Sequence, residues 1–257
     1  MPGINVGRLK ELEVVVPPLP EQKRIAAILD KADGIRRKRQ QALRLTDDFL
    51  RSVFLDMFGD PVTNPMGWAT KRIDQVCRLV RGSSPRPQGD PRYFGGPVPR
   101  LMVADITRDG FLVTPTIDSL TEEGATKSRP VPSGTVVMAV SGDVGVVSKL
   151  AIPACIHDGF VGFLDLDHND FQTDFFLLLL HYLKSTHAKR KAGAIFQNLT
   201  TTDIKAMEVP VPPQELQLKF DGVAARSTEF RNRLSDATSE TVDLFASLQQ
   251  RAFQGEL

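Results

Sequence analysis

Two stretches of this chain, "LKELEVVVPPLPEQ" from Leu9 and "IKAMEVPVPPQELQ" from Ile204, repeat one another at a constant offset of 195 residues. Without a gap, Lys10 meets Lys205, Glu13 meets Glu208, Val14 and Val16 meet Val209 and Val211, Pro17 and Pro18 meet Pro212 and Pro213, and Gln22 meets Gln217. Solenoids and propellers repeat every ~20–50 residues, so a period this long excludes them. It requires one short motif used twice, with a whole domain inserted between the copies.

Each copy opens a long amphipathic helix. After the first, Ile25, Ile28, Ala32, Ile35, Arg39, Ala42, Thr46, Phe49 and Val53 recur in alternating steps of three and four. After the second, the same register gives Phe220, Val223, Ser227, Phe230, Leu234, Ala237, Thr241, Leu244 and Leu248. This is coiled-coil seam spacing, held for about four heptads. Each helix would be about 60 Å long, too long to bury its stripe on a compact domain alone. The copies are therefore expected to pack on each other, through Ile25, Ile28, Ile35, Phe49 and Val53 on one helix. On the other the pairing residues are Phe220, Val223, Phe230, Leu234, Leu244 and Leu248. Pro20 falls in the first turn, where its missing N–H costs nothing. The run Arg36, Arg37, Lys38 and Arg39 reads as a solvated helix face.

Between residues 60 and 200 the pattern changes to short strands and turns. "VPRLMVADI", "GTVVMAV", "GVVSKLAI" and "HDGFVGFLDL" are β-rich runs bounded by Gly, Pro and Asp. A helix is then predicted over "DFFLLLLHYLKSTHAKRKAG", with Thr173 as N-cap and a basic last turn before Gly193. The inserted domain is a mixed α/β unit, and Trp68 stands at its entrance. The longest apolar run, residues 175–180, is too short to span a membrane. The first twenty residues are mixed and contain proline, unlike a secretory signal. A cytoplasmic location is expected.

Net charge is only +1, but the charges are unevenly spread. Lys71, Arg72, Arg78, Arg81, Arg86, Arg92 and Arg100 face only Asp74 and Asp90 in the same stretch. Lys184, Lys189, Arg190 and Lys191 form a second basic cluster. Two readings stand: the clusters gather into a phosphate-binding face, or they belong to a charge-balanced, solvated surface. Catalytic chemistry is thin. There is no phosphate-binding GxxxxGK[ST] loop, no paired carboxylates placed for acid–base work and no glycine-rich cofactor strand. Cys77 and Cys155 lack CxxC spacing, which argues against a disulfide framework or a structural zinc. "CIHD", from Cys155 to Asp158, has no second ligand cluster, so no metal site is assigned. The domain reads as a binding module, not an enzyme.

Several motifs then carry a resemblance. They are "RGSSP" at residues 81–85, followed by Tyr93 and "PRLMVADI", then Gly134 with the "SGDVG" turn at residues 141–145. "AGAIFQNLTTTDIKAMEVPVPP", "LPEQKRIAAILD" and the closing "QQRAFQGEL" complete the set. Together they resemble the specificity subunit of type I restriction–modification systems, over essentially the whole chain. A full-length member of that family carries two target-recognition domains, each followed by a long helix, and one such domain is legible here. Gln197 and Asn198 are adjacent, where the family motif separates them.

The resemblance implies an α+β fold, with one target-recognition domain flanked by two long helices paired as an antiparallel coiled coil. Residues 1–19 would be a strand and proline-rich connector, 20–58 the first helix, 59–213 the recognition domain with its connector, and 214–257 the second helix. The implied function is non-catalytic reading of a DNA half-site, while the helices dock a methyltransferase subunit and, through it, a nuclease/translocase. Those partners would carry S-adenosylmethionine, ATP and Mg; this chain would carry no cofactor. A homodimer reading an interrupted palindrome is expected. Candidate DNA contacts are Arg81, Ser83, Ser84 and Arg86, then Ser141 and Asp143, then Lys189, Arg190 and Lys191, and finally Gln197 and Asn198. A helical-hairpin scaffold that recognises protein rather than DNA is the alternative.

Overall fold

The computed structural model describes residues 16–190 and 200–254. Helix α1 (Leu19–Phe58) begins directly after Pro17 and Pro18. The N–H groups of Glu21 and Gln22 both reach the Pro18 carbonyl, at 2.9 and 3.1 Å, which closes the first turn. Gly59 ends the helix in the left-handed region at φ 73°, donating to the Leu55 carbonyl at 2.9 Å. A Cβ there would sit 2.5 Å from Pro65 Cγ, so only glycine fits.

The chain continues through β1 (Thr70–Arg72), a short α2 (Ile73–Val76) and β2 (Arg78–Arg81). A loop leads to β3 (Phe94–Leu101), α3 (Val103–Asp109), β4 (Leu112–Val113), β5 (Asp118–Leu120) and α4 (Glu122–Thr126). The strands β6 (Arg129–Val131), β7 (Val136–Ala139), β8 (Val147–Leu150), β9 (Ala154–Ile156) and β10 (Phe160–Leu164) follow. After them come α5 (Thr173–Arg190), α6 (Thr201–Lys205), β11 (Glu208–Pro210) and the second long helix, α7 (Gln214–Gln254). One sheet has the order β2-β10-β7-β8-β4 and a second the order β5-β3-β9-β6. The neighbours pair antiparallel except β4 with β8 and β3 with β9. β1 and β11 form a separate antiparallel ladder from Thr70↔Pro210 to Arg72↔Glu208. The second copy of the repeated motif is therefore strand β11 followed by the Pro-Pro turn into α7.

Strand β7 is buried on both faces, and its alternation divides the interior. Val136 and Met138 join one core, with Phe163, Phe175 and Phe176. Val137 and Ala139 join the other, with Leu101, Leu150, Ile156 and Phe160. α5 is apolar all round over residues 175–180, and every one of those side chains is buried, as expected of a helix enclosed on all sides. Phe54 stacks on Phe175 at 5.5 Å and meets Phe220 edge-on at 5.6 Å. The end of α1 thus packs on the start of α7.

The chain divides into two compact units, Asp47–Thr228 and the pair of segments Met1–Thr46 with Glu229–Leu257. The helix segments of the second unit carry exposed i,i+3 and i,i+4 ion pairs, such as Arg37–Asp33 and Arg233–Glu229, which contribute little each. Ile35, Leu45 and Phe230 remain exposed there. Among the described residues, no helix is long and apolar enough to cross a membrane.

Three sequence expectations change. "VADI" is not strand: β3 stops at Leu101 and α3 begins, because the buried Asp105 carboxylate takes the Met102 N–H as a cap. The other Asp105 oxygen takes the N–H groups of Thr116 and Ile117. Thr173 is the first residue of α5 rather than its cap; the Asp221 carboxylate on α7 takes the N–H groups of Asp174 and Phe175 instead. At the end of α1 the buried stripe runs through Thr46, Leu50, Phe54 and Phe58, while Phe49 is 53% exposed. The stripe turns away from the heptad seam there because it faces α5 and its aromatic cluster. Phe220 is fully buried, Ile25, Ile28, Val53, Val223 and Leu234 are half-buried, and the side chains of Leu244 and Leu248 lie outside the described residues.

Candidate nucleic-acid interface

Three loops of the Asp47–Thr228 unit converge: residues 82–87 after β2, the turn 157–159 between β9 and β10, and residues 141–145 between β7 and β8. The first is locked onto the second by backbone. Gly82 donates to the Phe160 carbonyl at 2.9 Å and Ser83 to the Ile156 carbonyl at 3.1 Å. A Cβ on Gly82 would collide with the carbonyl of His157, so this approach requires glycine. The third loop joins through Gly159, whose carbonyl accepts from the Val140 N–H at 2.8 Å. A Cβ on Gly159 would lie 2.5 Å from His157 Cε1 and 2.6 Å from Ser141 Oγ.

Asp158 stands at the centre of this cluster. The Ser84 hydroxyl donates to Asp158 Oδ1 at 2.7 Å, and Arg81 Nε donates to the Asp158 backbone carbonyl at 3.3 Å. Arg86 Nη2 lies 3.7 Å from Asp158 Oδ2. The Ser84 hydroxyl, ahead of His157 and Arg86, holds the Asp158 carboxyl below the usual carboxylate range. Burial, then the charge of Arg100, pushes His157 down, and its Nδ1 accepts the Gly159 N–H at 3.0 Å. The ring is therefore neutral at pH 7, with its proton on Nε2.

Behind the loops lies a brace. Arg100 is buried in β3, ion-pairs with Asp118, lies over the Phe94 ring at 5.4 Å and donates from Nη2 to Ser84 Oγ at 3.1 Å. The Ser128 hydroxyl donates to the Ser83 carbonyl at 2.7 Å, and Arg129 Nε to the Arg81 carbonyl at 3.3 Å. Lys127 and Arg92 flank the Tyr93 ring at 4.9 and 5.2 Å. The result is a braced, mostly exposed basic rim of Arg81, Arg86, Lys127 and Arg129.

Of the sequence-predicted contacts, Arg81, Ser83, Ser84, Arg86 and Ser141 are brought together, and Asp143 lies exposed in the same loop as Ser141. Lys189 and Arg190 end α5, and their side chains lie outside the described residues, as do Lys191, Gln197 and Asn198 altogether. The first basic stretch is less free than its composition implies. Lys71, Arg72, Arg78, Arg92 and Arg100 pair with Asp170, Asp74, Asp165, Asp90 and Asp118. How Asp158, Arg100 and Asp118 come together does not show in the sequence, because their partners are 74, 16 and 18 residues away. The one local signal is a glycine, at Gly82 and again at Gly159, in each of two facing loops.

Among the described residues, no group of three or more His, Cys, Asp or Glu is placed to hold a metal ion. Burial pushes the Cys77 thiol up to about 12 and raises that of Cys155, so neither is a ready nucleophile.

Residues 1–45 and 65–220 match the family model described as "Type I restriction modification DNA specificity domain". The putative type I restriction enzyme MjaX specificity subunit of Methanocaldococcus jannaschii is 24% identical over 238 residues, covering 84% of this chain and 52% of that protein. The crystal structure of the HsdS subunit from Thermoanaerobacter tengcongensis aligns with a TM-score of 0.53 and 25% identity, over 94% of this chain and 60% of that one. The type I restriction–modification S subunit from M. genitalium shares the fold, with a TM-score of 0.62 at 16% identity, over 97% of this chain and 65% of that one. The chain spans about half the length of the curated relative and less than two thirds of these structures.

Proposed function

This chain belongs to the family of type I restriction–modification DNA specificity domains, and from that premise we propose that it reads a half-site of a few base pairs for such a complex. The observation that carries the reading is the convergence of loops 82–87, 141–145 and 157–159 under a rim of arginines, braced from below by buried Arg100. The rim grips phosphates and sets register, while the polar groups inside it meet base edges in the major groove. Loops braced by hydrogen bonds suit this task, because a side chain already held in place costs less ordering on binding.

The chain catalyses nothing itself. A methyltransferase subunit docked on the helices carries S-adenosylmethionine and flips the target adenine; a nuclease/translocase with ATP and Mg joins through it. The complex works in the cytoplasm. One half-site discriminates poorly against a genome of non-specific DNA, and Ile35, Leu45 and Phe230 leave apolar surface uncovered on the helices. A homodimer reading two identical half-sites meets both needs.

The test is fluorescence anisotropy on a random-sequence duplex across a salt series, comparing the chain with its Arg81→Ala/Arg86→Ala variant. Affinity should fall steeply with salt. The variant's log–log slope should be shallower by about one for each phosphate-gripping arginine removed. Salt-independent binding, or none, would favour the protein-binding scaffold instead.

A further inference from the structure

Asp158 does not fit a surface that only grips phosphate. Its side chain is 55% exposed, at the tip of the turn on which both other loops lean. One of its oxygens is fixed by the Ser84 hydroxyl, itself held by buried Arg100. The other makes a loose ion pair with Arg86 Nη2 at 3.7 Å, beyond hydrogen-bonding range, and can still accept a hydrogen bond from outside. The carboxylate therefore has a fixed direction and, half exposed, presents acceptor capacity to a donor from outside. Any phosphate brought there would be repelled, while Arg81 and Arg86 on either side attract the backbone.

Of the groups that a DNA duplex presents, only a hydrogen-bond donor complements such a carboxylate. In the major groove, base edges offer two: N4 of cytosine and N6 of adenine. We propose that Asp158 is a specificity-determining residue that accepts a hydrogen bond from an exocyclic base amino group, set in place by Ser84 and Arg100. The inference rests on the DNA-recognition reading above and narrows it to one residue and one class of base edge. Arg100 is a positioning residue in this scheme: it reaches the DNA only through Ser84.

The experiment is selection from a random duplex library by the full chain, followed by sequencing, for wild type, Asp158→Asn and Asp158→Ala. The wild type should enrich cytosine or adenine at one position by about ten-fold or more. Asp158→Asn keeps the size and can still accept from Ser84, but it also donates, so thymine and guanine should become tolerated there. Asp158→Ala should lose the preference at that position only. Both variants should bind random duplex more tightly, because a negative charge has left the face. Unchanged preferences in both variants would overturn the proposal. So would an equal loss of preference at every position, which would make Asp158 a loop brace. A wild type that enriches no sequence would overturn the DNA-recognition reading, and this proposal with it.

Discussion

Gln22 and Gln217, 195 positions apart, make the same bond: each side-chain amide donates to the carbonyl of the proline five residues before it, at 2.8 Å in both cases. The backbone agrees, since Gln22 and Gln217 also donate their N–H groups to Pro18 and Pro213. The sequence repeat is thus a repeated helix-opening device, in which glutamine ties the first turn back to the Pro-Pro lead-in. The two differ in what else they hold. Gln22 is exposed, whereas Gln217 is fully buried, donates to the Asp170 carbonyl at 2.8 Å and accepts the Gln172 N–H at 2.9 Å.

Substitution by alanine should therefore separate the twins. Gln217→Ala strands the Asp170 and Pro212 carbonyls and the Gln172 N–H, and is expected to cost about 2 kcal/mol or more. Gln22→Ala removes one solvent-facing bond, with an expected cost of under about 0.5 kcal/mol. Urea unfolding of both variants, followed by circular dichroism, checks the difference; equal costs would contradict it.

Neighbouring phenylalanines on α1 should behave as unlike residues. Phe54 is fully buried against Phe58, Phe175, Tyr182 and Phe220, so Phe54→Ala should destabilise by about 3–5 kcal/mol. Phe49→Ala, at an exposed position, should change the monomer's stability by less than about 1 kcal/mol. If Phe49 lies between two copies of the chain, its variant will instead lower the association constant measured by light scattering.

Asp221 gives a pH signature. Burial, and next the nearby Asp174 carboxylate, raise its pKa to about 6, against the opposing pull of Lys149 and the two N–H groups it caps. A folded-state value above the unfolded one means the fold prefers the protonated form. This contribution to stability is full below pH ~4 and is lost as pH rises through about 6. Asp221→Asn keeps an acceptor for the α5 N-terminus but cannot titrate. Its stability relative to wild type should improve as pH rises from 4 to 7 and then level off. Chemical unfolding at several pH values reads this directly, and a flat difference would refute it.

How much of this is legible in the sequence depends on the range of the interaction. The long helices, the Pro-Pro turns and the strands around β7 and β10 rest on local periodicity, and they stand where the pattern puts them. "VADI" misleads because Asp105 is capped and bonded by residues it meets only in the fold, such as Thr116. The seam reading places Phe49 inward because a heptad assumes a single partner, whereas this end of α1 packs against α5 as well as α7. In the candidate interface, "RGSSP" and "SGDVG" mark two of the three loops. The centre stays hidden because the Ser84–Asp158 bond joins positions 74 residues apart. Likewise, an arginine count cannot distinguish Arg81 from Arg100, one exposed and one buried as a brace.

The three-rung ladder between β1 and β11 pins Thr70 and Pro210 side by side, about 4.8 Å apart in the hydrogen-bonding direction. Whatever lies between those two points begins and ends at one fixed address. Loops there can lengthen, shorten or trade side chains while the ladder continues to deliver the chain to the Pro-Pro turn of α7 at the same place. On the proposed reading, the choice of bases belongs to the segment between those two rungs and the spacing of half-sites to the helices outside it, so the two tasks fall on separable stretches of one sequence.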